Sequence, residues 1–221
     1  MGVRGAFWAA LGGQLRKPSG LTGQLAGRLM SLANSRSNKI AIEALAVRPS
    51  ETVLELGVGP GCAVATLSTL APYGQVVGLD HSSVMLAQTA HRNSHAIRNG
   101  RVHLVQGCFD ALPFKSGTVD KLLAVHVAYF MSPDTTELRE AARVLRPGGR
   151  LALLATDRAA MARWKFPEYS GHRLFTRNQL IQDLQSAGFA PANFSVSRIK
   201  LSFDLPGLLA VVTKPGAQTA F

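Results

Sequence analysis

The nine residues from Val53 to Gly61 (Val-Leu-Glu-Leu-Gly-Val-Gly-Pro-Gly) restrict the fold of this chain more than any other stretch. Thr52 to Leu56 is short, largely apolar and closed by Gly57, so it reads as a buried strand and not as a helix. A helical pattern follows at once, over about 62–71. Glycines at a strand-to-helix turn let the backbone approach a ligand closely and present free amides at a helix N-terminus.

The rest of the chain repeats the alternation. A strand at Gln75 to Leu79 is followed by a helix from Ser82 to Asn99 that stops at Gly100, then by a strand at Val102 to Gln106. After a loop with Pro113 and Gly117 come a strand at Asp120 to Val125 and a helix from Asp134 to Leu145. Arg146-Pro147-Gly148-Gly149 reads as a stop and turn, and Arg150 to Ala155 as a further strand. Thr176 caps a helix that runs to Ala187 and ends at Gly188. Phe194 to Phe203 and Leu208 to Thr213 form a hairpin about Asp204-Leu205-Pro206-Gly207. Strand and helix in alternation imply a parallel sheet covered on both faces, here with an antiparallel pair at its end.

Upstream, Leu21, Leu25 and Leu29 share one helical face, and Ile40 to Leu45 form a second helix capped by Ser37. The expected organisation is one domain over 47–215, an N-terminal helical extension or substrate cap over 1–46, and a tail over 216–221. Substrate recognition then falls to residues 1–46, the loop after Val125 and the insert 156–175.

The glycine loop does not fit a dinucleotide site. G-x-G-x-x-G fails from Gly57, where the sixth residue is Cys62, and from Gly59, where it is Val64. Pro60 also removes an amide that a pyrophosphate would use. About 20 residues further on, Val76-Val77-Gly78-Leu79-Asp80 ends in a carboxylate placed to accept hydrogen bonds from ribose hydroxyls, so the loop and Asp80 together suit an adenosine ligand without pyrophosphate.

These features resemble the class I S-adenosylmethionine-dependent methyltransferases, in their broad small-molecule group. The matching stretches are VLELGVGPG (53–61), VVGLD (76–80), GCFDALPF (107–114), VDKLLAVHVAYFM (119–131), VLRPGGRL (144–151) and LAVVTKP (209–215), within a span of about 38–215. The resemblance implies an α/β, Rossmann-like sheet of seven mostly parallel strands with an antiparallel C-terminal strand and helices on both faces. It implies S-adenosylmethionine across the carboxyl ends of the first strands. Position by position, Glu55, Gly57, Gly59, Pro60 and Gly61 would hold the methionine half and Asp80 the ribose, with His81 and Met85 beside the adenosine. Cys108 and Phe109 would hold the adenine. Many relatives read Gly-Asp-Ala where this chain reads Gly107-Cys108-Phe109, so the aspartate that accepts from the adenine amino group is replaced by Cys108. Asp110, or the backbone of Cys108 and Phe109, is left to make that contact.

Methyl transfer from a sulfonium is an in-line displacement in which the enzyme chiefly aligns the reactants and excludes water. A base is needed only where the acceptor must lose a proton. His126, Tyr129 and Phe130, just past the fourth strand, should face the transferred methyl. His126 and Tyr129 are the catalytic candidates, and His126 would touch the cofactor or deprotonate the acceptor. Trp164, Tyr169 and His172 are candidates for a substrate lid. No Asn-Pro-Pro-Tyr or Asp-Pro-Pro-Tyr follows the fourth strand, which argues against methylation of an exocyclic base amino group. Neither cysteine sits there after a proline, and no clustered carboxylates or histidines suggest a metal.

The 221 residues carry a formal charge of +11, concentrated at the ends: residues 1–50 are net +6, 51–120 net −1 and 121–221 net +6. Two cysteines cannot form a disulfide scaffold, and no window reaches the ~18 apolar residues of a membrane span, so a cytoplasmic protein is expected. The expected activity is methyl transfer to an O or N nucleophile of a small molecule. The basic flanks raise the alternative of an anionic lipid, membrane surface or RNA as partner. The Cys108 departure raises that of a cofactor-binding protein without catalysis.

Overall fold

In the computed structural model, residues 34–163 and 172–216 are described. A first helix, α1 (Ser35–Leu45), precedes β1 (Thr52–Leu56), α2 (Cys62–Leu70), β2 (Gln75–Asp80), α3 (Ser83–Arg92), α4 (Ser94–Arg98), β3 (Val102–Gln106) and β4 (Val119–Val125). Then come α5 (Thr136–Val144), β5 (Leu145–Thr156), the single turn α6 (Arg158–Met161), α7 (Arg177–Ser186), β6 (Phe194–Lys200) and β7 (Pro206–Thr213). The strands form one sheet in the order β3-β2-β1-β4-β5-β7-β6. Strands β1 to β5 are parallel, and β7 runs antiparallel to both β5 and β6.

Successive strand residues enter opposite cores, because side chains alternate across a sheet. Leu54, Leu56, Leu122 and Leu153 pack with Leu138 and Val144 of α5 and Leu180 and Leu184 of α7. Val53, Val76, Leu123 and Leu154 pack with Ala41 and Leu45 of α1 and Val64 and Leu67 of α2. Both faces are apolar, so these strands read as continuous apolar runs and not as alternating ones. Each fully buried leucine contributes about 1.5–3 kcal/mol.

The reversed strand of the terminal hairpin lies one place in from the edge. All but the ends and Val211 of β7 are buried, which suits a place beside β5, whereas the mixed exposure of β6 suits the outer position. The hairpin turn also differs from expectation. Strand β6 stops at Lys200, Leu201–Leu205 form the turn, and Gly207 already pairs with Ile199 and Thr156. A side chain at Gly207 would come within 2.7 Å of Leu201, so only glycine lets the pairing start so early.

Three further expectations are corrected. The helix from Ser82 to Asn99 is broken at Asn93, whose side-chain amide donates to the carbonyls of Gly61 (3.1 Å) and Thr89 (2.9 Å). Arg146–Gly149 is not a free turn but a bulge within β5: Val119 pairs with Leu145, and two residues later Lys121 pairs with Arg150. Ser37 does not cap α1, which begins two residues earlier; its hydroxyl turns toward the sheet. The cap expected at Thr176 is present as a reciprocal pair with Gln179.

Candidate active site

The loops that leave the carboxyl ends of β1, β2 and β4 surround a cavity of about 810 Å³. The β1 loop is fixed from behind. Gly57 has φ +72° and donates its N–H to the Leu79 carbonyl at 2.7 Å; a methyl there would come within 2.3 Å of Val127. Gly59 faces open space where a side chain would stand. The carbonyls of Gly59, Pro60 and Gly61 accept from Thr89 Oγ1 (2.9 Å), Arg92 Nε (2.9 Å) and Asn93 Nδ2. Residues at the end of α3 thus hold the loop without reaching the cavity.

Of the residues expected to hold the cofactor, Glu55, Gly57, Gly59, Pro60, Asp80, His81, Met85, Cys108, Phe109 and His126 all line this cavity. Gly61 does not; it is buried behind the wall, where a side chain would press on Thr89 and Asn93 at 2.8 Å. Tyr129, Phe130 and His172 line the same cavity. Trp164 and Tyr169 lie outside the described residues. Glu137, Leu201–Phe203 and Leu205, which no motif singled out, also line the wall, as do Asn34, Ser37 and Asn38 of the 1–46 segment and Thr156 and Met161 of the 156–175 insert, the regions expected to recognise substrate. Their assembly depends on long-range packing of α1 and the β6–β7 turn, which no local motif records.

The electrostatics are one-sided. Glu55 is 4% exposed, and its Oε2 has no hydrogen-bond partner. Burial, and then the neighbouring Asp80, hold its carboxyl well above the usual glutamate range. Asp80 accepts from the N–H groups of Ser82 (2.9 Å) and Gly59 (3.2 Å). Burial nevertheless pushes its carboxyl up, against the pull of those two amides and of His81. No lysine or arginine lines the cavity among the described residues.

Two buried carboxylates without a cation fit a ligand that brings positive charge and hydroxyl donors. The orphaned Glu55 oxygen can accept from an ammonium, and the open face at Gly59 leaves room for close approach. S-adenosylmethionine, with its ammonium, sulfonium and ribose hydroxyls, meets these requirements.

On the cavity wall His126 has φ +58°, a conformation that costs of order 1–3 kcal/mol outside glycine and is concentrated at functional sites. Its Nδ1 lies 3.0 Å from the Tyr129 hydroxyl and its Nε2 3.0 Å from the Ser37 hydroxyl. The proton order follows from Tyr129, whose oxygen already accepts from the Thr156 N–H. Burial raises the phenol to about 12, so it keeps its proton and donates it to Nδ1. Nε2 therefore carries the ring proton and donates to Ser37. Desolvation lowers the imidazole to about 4, so the ring is neutral at physiological pH. Both of its nitrogens are engaged, and the chain Thr156–Tyr129–His126–Ser37 ties β5 to α1 across the cavity.

Residues 53–149 match the family model described as a methyltransferase domain. An uncharacterised 37.1 kDa protein in a transposon of Streptomyces fradiae is 34% identical over 146 residues, 65% of this chain and 41% of that one. An uncharacterised methyltransferase of Bacillus subtilis is 28% identical over 176 residues, 80% of this chain and 92% of that one. This chain therefore spans less than half the length of the first relative and nearly all of the second. In fold it is similar to a SAM-dependent methyltransferase from Aquifex aeolicus, with a TM-score of 0.66 and 17% identity over 92% of this chain and 98% of that one. The chain carries this methyltransferase domain over residues 53–149, in the fold of the class I S-adenosylmethionine-dependent methyltransferases. Its cofactor is S-adenosylmethionine. Among the described residues no helix is long and apolar enough to cross a membrane.

Proposed function

We propose that the protein transfers a methyl group from S-adenosylmethionine to an oxygen or nitrogen nucleophile of a small molecule. The observation that carries this reading is one continuous cavity whose cofactor end (Glu55, Gly59, Asp80) runs into an aromatic end (Tyr129, Phe130, His172), with His126 on its wall.

The cofactor supplies a methyl carbon already activated by the adjoining sulfonium. The chain's own part is to bind, orient and exclude water. Glu55 provides counter-charge, Asp80 accepts from the ribose, and Cys108 with Phe109 lies where the adenine is expected. Asn34, Ser37 and Asn38 line the cavity, which supports the N-terminal segment as a cap.

His126 acts as a positioning wall and not as a strong base. Moving the phenol proton from Tyr129 to His126 opposes values of about 12 and about 4, a cost on the order of 10 kcal/mol. His126 therefore contributes no strong base to the acceptor. An anionic lipid or RNA would meet no lysine or arginine on the described cavity wall, so the uncharged or cationic small acceptor is the better match.

The experiment is release of S-adenosylhomocysteine in the presence of S-adenosylmethionine and a panel of small phenols, alcohols and amines. Acceptor-dependent release that is lost in Asp80→Ala is expected. Saturable cofactor binding with no release on any acceptor would favour a binding protein without catalysis.

A further inference from the structure

We infer that the acceptor carries a positively charged amine and that Glu137 binds it. This rests on the methyltransferase reading above and concerns another carboxylate on the wall of the same cavity.

Glu137, in the first turn of α5, is 8% exposed and lines the cavity. Burying a carboxylate is costly unless it is paired or hydrogen-bonded. No ion pair among the described residues reaches Glu137. Its hydrogen bonds both fall on Oε2, from the Ser132 N–H (2.9 Å) and the Ser132 hydroxyl (2.7 Å). The second of these is contested: the same hydroxyl lies 2.6 Å from Asp134 Oδ1 and has one proton to give. Among the described residues the group is therefore short of donors as well as of positive charge.

Neither arginine at this turn answers the need: Arg139 is held by the Thr135 and Thr136 hydroxyls. Arg173 is turned away, with Nη1 on the Ser132 carbonyl (3.0 Å), Nη2 on Asp183 (2.9 Å) and its guanidinium over the Phe175 ring at 4.9 Å. It does not line the cavity.

The same cavity offers aromatic rings to a cation, Phe130 among them, two residues before the Ser132 whose N–H Glu137 accepts. Phe130 and His172 meet edge-on with centroids 4.7 Å apart, and Tyr129 stands 6.3 Å from Phe130 and 6.1 Å from His172. An ammonium held by a buried carboxylate beside aromatic faces gains from both the charge-assisted bond and the ring quadrupole. A carboxylate or phosphate on the acceptor would meet Glu137 with repulsion and no counter-charge.

The test uses the full chain loaded with S-adenosylhomocysteine and three probes of matched skeleton: 2-phenylethylamine, 2-phenylethanol and 3-phenylpropionate. Titration calorimetry should show the amine bound tightest and the carboxylate weakest. Glu137→Gln should weaken the amine by roughly tenfold to a hundredfold while leaving the alcohol where it was. A merely structural glutamate would shift all probes together. Equal binding of amine and alcohol by the wild type, no binding of any probe, or a uniform loss in the variant overturns the assignment. If Glu137→Gln fails to fold, seen as loss of S-adenosylhomocysteine binding, the order of the three probes on the wild type decides. Failure of the wild type to bind S-adenosylhomocysteine would sink the methyltransferase reading instead.

Discussion

Glu55→Gln should weaken cofactor binding and stabilise the empty protein, and this opposition separates a ligand-binding carboxylate from a structural one. The Glu55 carboxyl is buried with one oxygen unpaired and Asp80 close by. A carboxyl whose folded pKa is raised keeps its proton in the folded chain after the unfolded chain has lost it. Stability therefore falls as pH rises from the ordinary glutamate value through the raised one. Each pH unit of that interval costs about 1.4 kcal/mol, and a neutral amide of the same shape removes the burden. About 1 kcal/mol gained would raise Tm by about 2–4 °C for a chain of this size. A cationic ligand, by contrast, loses a charge-assisted hydrogen bond of about 1.5–3 kcal/mol, so affinity drops by roughly tenfold or more. Binding to the wild type should also release a proton and tighten as pH rises, because the cation favours the ionised carboxylate. Differential scanning fluorimetry and calorimetric titration with S-adenosylmethionine between pH 6 and 8 read all three effects. A variant that melts lower without ligand, yet binds the cofactor as the wild type does, would refute the reasoning.

The same geometry sets the outcome of five further substitutions. Asn93→Ala removes two donors behind the glycine loop and should weaken S-adenosylhomocysteine binding without touching the ligand, at a stability cost of about 1–3 kcal/mol measured by urea unfolding. Tyr129→Phe leaves the Thr156 N–H and His126 Nδ1 unpaired and should destabilise by about 1–3 kcal/mol; Ser37→Ala should cost about 0.5–1.5 kcal/mol. Because the folded His126 refuses a proton down to about 4 while an unfolded histidine accepts one near 6.5, stability should fall with acid across that window. His126→Phe should flatten that component of an unfolding series over pH. Gly57→Ala places a methyl 2.3 Å from Val127 and should yield a protein that folds poorly or loses cofactor binding, seen by circular dichroism and titration.

The seven strands and the loops that border the cavity were legible because each is encoded locally. A short apolar run closed by glycine, or a carboxylate at a strand end, carries its own signal. Gly57 and Asp80 are of this kind, and both line the cavity. What escaped detection depends on contacts distant in sequence. Ser37 looks like a helix cap by its neighbours, yet its hydroxyl serves His126, 89 residues on. The break at Asn93 is set by a carbonyl 32 residues back, so the helical pattern through it gave no warning. The bulge at Arg146–Gly149 has the composition of a turn, but the Gly148 N–H donates to the Lys214 carbonyl and the Lys214 N–H to the Gly149 carbonyl, which keeps it in the sheet. Glu137 stood unremarked on a helix because a charged residue in a first turn is ordinary. Its burial on the cavity wall, with no lysine or arginine of the described residues lining that wall, sets it apart.

The central claim is that the cavity at the ends of β1, β2 and β4 holds S-adenosylmethionine through Asp80 and its neighbours. Calorimetric titration of the full chain with S-adenosylhomocysteine, side by side with Asp80→Ala, tests it most directly. Saturable one-site binding that weakens at least about tenfold in the variant is the predicted result. No binding, or binding indifferent to Asp80, would contradict it.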